Sequence, residues 1–150
     1  MVRMGIALRN KVLGFRQRAP EAIMRVMLKI GTIVMGAANV PRAASFWCQA
    51  LDYVPRDEVA DDWTVLVPVD GKPGPGLSLG LSQSAVQDHP RVHLDLYAGD
   101  TADQAAEIER LVALGAVRVD WDGYEEDSDF VVLADTEGNR FCVIDTGGPN

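Results

Sequence analysis

The residues best able to do chemistry lie on two strand-like segments in the second half of the chain, RVHLDLYAGD and RFCVID. Side chains alternate along a strand, so His93, Asp95 and Tyr97 share one face of the first segment. By the same rule Arg140 and Cys142 share one face of the second. An imidazole, a carboxylate and a thiol can act in acid–base or nucleophilic chemistry or bind a metal ion. Their role depends on what these two faces enclose.

Each of these residues also has a purely structural interpretation. His93 is equally explained as a buried histidine that is satisfied by Asp95 or by a hydroxyl, and Cys142 as a residue that fills space. Without a nearby cation a cysteine is mostly protonated at neutral pH, which weighs against a Cys–His catalytic pair. The catalytic hypothesis for this chain is therefore His93 as a general base.

The composition predicts one globular domain in an intracellular setting. The chain has 150 residues, 47% of them hydrophobic, which suffices for one core. It contains neither a run of about 20 apolar residues nor the apolar block of a secretory signal. Cys48 and Cys142 lie outside metal-binding or disulfide spacings, so we expect both to be reduced. We expect a cytoplasmic protein with no membrane partner.

The net charge of −8 conceals a strong asymmetry. Residues 1–29 contain seven basic residues and one acid, whereas the rest contains 7 basic and 21 acidic residues. An acidic domain repels nucleic-acid phosphates and attracts cationic small molecules. We therefore expect no nucleic-acid partner. The basic segment 1–27 is predicted to be a poorly ordered N-terminal extension, with a targeting peptide or a surface-binding helix as the alternatives.

From residue 28 onward one pattern of elements occurs twice, which predicts an α+β fold of two tandem β-α-β-β-β modules. Module one spans 28–84 and module two spans 90–146, followed by a tail at 147–150. The interval from Thr32 to His93 is 61 positions, and so is the interval from Asn39 to Asp100. The equal spacing supports a true repeat.

Capping residues mark where the two helices begin and end. Asn39 is a suitable cap for the first helix, with Pro41 in its first turn. Thr101 and Gln104 have the spacing of a capping box at the second helix, and Gly115 stands where a helix ends.

The segments LADTEGNRFCVID, RVHLDLYAGD and NVPRAASFW resemble the vicinal oxygen chelate superfamily. That superfamily includes glyoxalase I, bleomycin-resistance proteins, fosfomycin-resistance enzymes and extradiol dioxygenases. The resemblance covers residues 28–146 and is nearest to the short bacterial glyoxalase-like proteins. It implies a cupped, partly closed mixed sheet with the helices outside.

In metal-dependent members of the superfamily, the first and last strands of each module supply ligands to one divalent ion. The matching positions here are Thr32, Gly80, His93 and Cys142. Glycine has no side chain and threonine is a poor ligand, so the resemblance implies a metal-free protein with no cofactor. A divalent metal held at a non-standard site by His93 is the alternative.

The implied cup is lined by small polar groups and few bulky ones, which suits a polar organic ligand. The sequence allows Trp63 to lie either in the cavity wall or in the core. The predicted ligand-binding residues are Thr32, Val34, Trp63, Ser78, Gly80, His93, Asp95, Tyr97, Arg140 and Cys142.

Three functions follow from this prediction. The first is a metal-free module that encloses a small polar or cationic organic molecule, as the bleomycin-resistance branch does. The second is a lyase, isomerase or dioxygenase-type enzyme that uses His93 as a base or metal ligand. The third is an interaction scaffold. Modules of this type pair within one chain or across two, so a homodimer is also expected.

Overall fold

The computed structural model describes residues 28–148. The predicted basic extension at 1–27 lies outside the described residues, as does the end of the tail at 149–150. Module one contains β1 (Thr32–Ala37), α1 (Val40–Leu51), β2 (Tyr53–Pro55), β3 (Trp63–Pro68) and β4 (Gly76–Leu81), with a 3₁₀ turn at Val69–Gly71. Module two contains β5 (Leu94–Tyr97), α2 (Thr101–Ala113), β6 (Val117–Arg118), β7 (Phe130–Ala134) and β8 (Arg140–Ile144).

Each module forms its own four-stranded mixed sheet, and this confirms the predicted α+β fold and the repeat. The strand orders are β1-β4-β3-β2 and β5-β8-β7-β6. In both sheets the first strand pairs in parallel with the last, and the other pairs are antiparallel. The first strand of each module is therefore an edge strand with one free side. Within residues 28–148, no helix is both long and apolar enough to cross a membrane.

The caps confirm one helix start and correct the other. Asn39 caps α1, where its side-chain oxygen accepts from the Arg42 N–H at 2.9 Å. The prediction for α2 was wrong by one residue, because Asp100 is the cap and forms the capping box with Asp103. A carboxylate satisfies two helix amides at once and is favoured by the positive end of the helix dipole. The Thr101 hydroxyl instead donates to Asp145.

One hydrophobic core is shared by both modules, and α1 joins them. Apolar side chains of α1 pack on the sheet of module one. Its Phe46 and Trp47 rings also contact Phe141 of β8, with ring centroids 6.2 and 5.2 Å apart. The Trp47 indole is fully buried and donates to Asp135 at 2.9 Å. The helix therefore contacts the core-facing sides of both sheets.

The strand faces are those that alternation predicts. Leu94 and Leu96 of β5 pack against the core, as do Phe141 and Val143 of β8. The opposite face of each sheet points away from the shared core. Asp95 and Cys142 lie on that outward face in module two.

Trp47→Phe is expected to destabilise the protein by about 2 to 4 kcal/mol, because it leaves a small void and removes a donor from a buried carboxylate. Trp63→Phe is the matched control, since Trp63 is 46% exposed, and its cost should be below about 1 kcal/mol. Urea unfolding followed by circular dichroism measures both. Equal losses would contradict the linking role of Trp47.

Candidate functional site

The outward face of module two brings together an imidazole, a carboxylate and a thiol. Asp95 and Cys142 are cross-strand partners on β5 and β8, and His93 immediately precedes β5. His93 Nε2 lies 3.1 Å from Asp95 Oδ1. One ligand atom from each of the three residues lies within 4.8 Å of the other two. His93 and Asp95 are exposed, whereas Cys142 is buried.

The surroundings of Cys142 keep its thiol protonated. Burial, followed by the negative charge and hydrogen bonding of Asp95, raises the pKa of Cys142 to about 11. Because the thiolate is the nucleophilic form, this environment suppresses covalent chemistry at neutral pH. Cys142 therefore contributes a small polarizable side chain to the site and does not act as a nucleophile.

Within residues 28–148, the strands that form the outward face of module one carry hydroxyl and apolar side chains and no charged group. The Thr32 and Ser78 hydroxyls are hydrogen-bonded to each other at 3.0 Å. Trp63 lies across from Gly80 on the neighbouring strand, and a Cβ added to Gly80 would be 3.1 Å from the Trp63 ring. Val34 is 61% exposed on the adjacent edge strand. This face offers an aromatic surface beside small groups.

The four positions implied as metal ligands do not form a metal centre. Gly80 provides no side-chain donor, and the Trp63 ring lies against it. Thr32 contributes only a hydroxyl that is already paired with Ser78. The His–Asp–Cys group found among the described residues comes from module two alone. The donor set of module one therefore does not fit the ion of the metal-dependent relatives.

The ten predicted site residues do not line one cavity in this chain. Three of them, Val34, His93 and Arg140, line a cavity of about 420 Å³. Asp95 and Tyr97 border another of about 540 Å³ beside the end of α1. The remaining five are distributed over the outward faces, with Thr32, Trp63, Ser78 and Gly80 in module one and Cys142 in module two.

Sequence reasoning missed the polar side chains of the turn before β8. No role was assigned to these side chains, yet they reach module one. The Asn139 amide donates to the Gly36 carbonyl at 3.0 Å, and Glu137 pairs with Arg42 through two hydrogen bonds of 2.7 and 3.1 Å. Asn139 also lines the 420 Å³ cavity. These contacts join residues about 100 positions apart, so no local pattern reveals them.

The aromatic residues Tyr124 and Phe130 lie on the outer side of module two. The Tyr124 ring lies against Phe130, with ring centroids 5.5 Å apart. Its hydroxyl accepts from the Val132 N–H at 2.8 Å, and Val132 pairs with Cys142 across the sheet. Tyr124 therefore binds the backbone of β7 through its hydroxyl and does not join the core.

Solved structures of glyoxalase-related proteins have the same fold. The chain is 12% identical to a glyoxalase/bleomycin resistance protein/dioxygenase family enzyme from Burkholderia phytofirmans, with a TM-score of 0.59 over 77% of this chain and 97% of that one. It is 16% identical to protein ATC0852 from Agrobacterium tumefaciens, with a TM-score of 0.60 and coverage of 81% and 100%. No curated protein sequence matches it.

A third structure is a mutant of the fosfomycin resistance protein FosX from Listeria monocytogenes, which was solved with Mn(II) and a dihydroxypropylphosphonic acid. It is 10% identical, with a TM-score of 0.61 over 82% of this chain and 92% of that one. Identities this low show a shared fold only. The family model of the glyoxalase-like domain, however, matches residues 32–144, which is most of the chain. The protein therefore belongs to the glyoxalase-like domain family.

Proposed function

We propose that this protein binds a small polar or cationic organic molecule without a metal ion. The observation that carries the proposal is the Trp63 ring lying against Gly80. At a position where metal-dependent relatives place a ligand, this chain has an aromatic surface that is 46% exposed. Such a surface binds a flat or cationic group by stacking or by cation–π attraction.

The charge of the domain favours a cation over an anion at this surface. Residues 30 onward contain 21 acids against 7 bases. Asp95 is exposed on the outward face of module two, next to His93. A carboxylate and an indole face together attract an organic cation, whereas neither attracts an anion.

The proposal includes a second copy of the chain, because the ten predicted site residues do not line one cavity within a single chain. Each outward face leaves large side chains exposed, with Val34 at 61% and Tyr97 at 76%. If module one of one copy faces module two of another, the two faces enclose a ligand that neither face encloses alone. Two such cups form in a symmetric homodimer.

Trp63→Ala is expected to weaken the binding of benzyltrimethylammonium, a cationic aromatic probe, by about 1 to 2 kcal/mol, since the indole face is lost. Isothermal titration calorimetry measures the affinity. Trp121→Ala is the control, because Trp121 packs on His89 in the loop region and not beside Gly80.

Equal losses in the two variants would contradict the role of Trp63. Sedimentation equilibrium on the same samples tests the second copy. If the unmodified chain is monomeric at the concentrations at which it binds benzyltrimethylammonium, the binding site does not need a second copy of the chain.

The alternative is an enzyme of the same superfamily that uses His93, and one observation favours it. The imidazole of His93 is oriented by Asp95 at 3.1 Å, an arrangement that suits a general base, and with Cys142 it could hold a metal ion at a non-standard site.

On the metal-free proposal, protein purified and then equilibrated with Zn²⁺ should retain less than stoichiometric metal after gel filtration. Among residues 28–148 only three donors converge, and one is a protonated thiol. Plasma mass spectrometry measures the metal content. One tightly held equivalent that is lost in both His93→Ala and Cys142→Ala would favour the alternative.

The Cys142 thiol is expected to react with iodoacetamide roughly 100-fold more slowly at pH 8 than N-acetylcysteine does, because a pKa of about 11 leaves little thiolate. A Cys48→Ser background leaves Cys142 as the remaining cysteine. Its rate should still rise about tenfold per pH unit from pH 8 to pH 10, since the raised pKa lies above this range. A rate that levels off below about pH 10 in the folded protein would show an ordinary or activated thiol.

A further inference from the structure

Trp63 does not line the 420 Å³ cavity, and the chemistry of this cavity differs from that of the Trp63 surface. It is bounded by the free edge of β1, by the 82–93 segment that links the modules, and by the start of β8. Its apolar walls include Met35, Val86, Val92 and Leu94. An apolar pocket with a few convergent polar groups is the usual form of a small-molecule site.

The edge of β1 supplies backbone groups to this cavity. Gly31 and Ala37 direct their carbonyls to β4, where they accept from Gly76 and Ser82 at 2.9 Å. In a parallel pair the intervening even-numbered residues direct their backbone groups to the opposite side. Gly36 accordingly accepts from the Asn139 side chain, which lines the same cavity.

Arg140 provides the charge, and its guanidinium is only half engaged. Its Nη2 donates to Asp88 at 2.8 Å. Its Nε is buried and has no hydrogen-bond partner among residues 28–148. The Arg140 side chain is 19% exposed, whereas that of Asp88 is 84% exposed.

Arg42 shows what a complete pair of this kind looks like in the same molecule. Both its Nε and its Nη2 donate to the two carboxylate oxygens of Glu137. At Arg140 the corresponding Nε and Nη2 edge meets one oxygen of a solvent-exposed aspartate. A planar carboxylate fits this edge through two parallel hydrogen bonds.

We propose that this cavity binds an organic monocarboxylate with an apolar body. The carboxylate takes the Nε and Nη2 edge of Arg140 and displaces Asp88 into solvent, while the body packs against the apolar walls. Arg140, which alternation assigns to the cup, serves this second site. Trp63 does not line this site, which selects the opposite charge.

Benzoate is the probe for this site, and calorimetry or chemical-shift titration measures its binding to the full chain. Arg140→Gln is expected to weaken benzoate binding at least tenfold. Asp88→Asn is expected to strengthen it severalfold, because the competing carboxylate is removed. Arg118→Gln is the matched control, since Arg118 pairs with Glu109 on α2 and lies outside this cavity. Benzyl alcohol should bind more weakly than benzoate.

Three outcomes would overturn the proposal. They are unchanged benzoate affinity in Arg140→Gln with native circular dichroism, weaker affinity in Asp88→Asn, and equal binding of benzyl alcohol and benzoate. If Arg140→Gln fails to fold, the benzoate affinity of Asp88→Asn tests the proposal by itself. Benzyltrimethylammonium is titrated in parallel. Loss of its binding in Trp63→Ala with benzoate binding intact separates the two sites, whereas loss of both in Trp63→Ala would place benzoate in the cup.

Discussion

The buried Asp135 carboxylate holds the two modules together. It is 3% exposed and accepts from the Trp47 indole, from the Glu137 and Asn139 backbone N–H groups and from the Asn139 amide. A buried carboxylate is tolerated only when it is hydrogen-bonded in this way. These bonds shape the turn before β8 and attach it to α1.

The same turn carries the charged contact that closes the junction. The Glu137 side chain is 1% exposed and pairs with Arg42. Burial opposes ionisation of this carboxyl, but hydrogen bonds from Arg42 and from the Asn39 N–H outweigh it and hold its pKa below the ordinary value. The pair therefore stabilises the fold above the ordinary glutamate pKa and loses that contribution as pH falls through the lowered one. The Glu137 carboxylate also holds the start of α1 in place, because it accepts from the backbone N–H of Asn39, which caps that helix.

This junction determines how the sites are arranged. The α1 helix packs against the core faces of both sheets, and the predicted site residues are divided between two cavities and the outward faces. The junction also creates the cavity between β1 and β8, where Arg140 lies beside apolar walls. An acidic domain thus contains an aromatic surface suited to a cation and, in a cavity that Trp63 does not line, a guanidinium suited to a carboxylate.

The sequence by itself determined the local features. Alternation assigned Leu94 and Phe141 to the core and Asp95 and Cys142 to the outward face, because side-chain direction in a strand has a fixed period of two. Repeat spacing determined the two modules, and the Asn39 cap followed from local hydrogen bonding. Only the tertiary structure decided that the Trp63 ring lies against Gly80 and that Val34, His93 and Arg140 line one cavity beside β1. These arrangements depend on contacts between residues far apart in the chain, such as Trp47 and Asp135, which are 88 positions apart. Contacts of this kind produce no periodic pattern in the sequence.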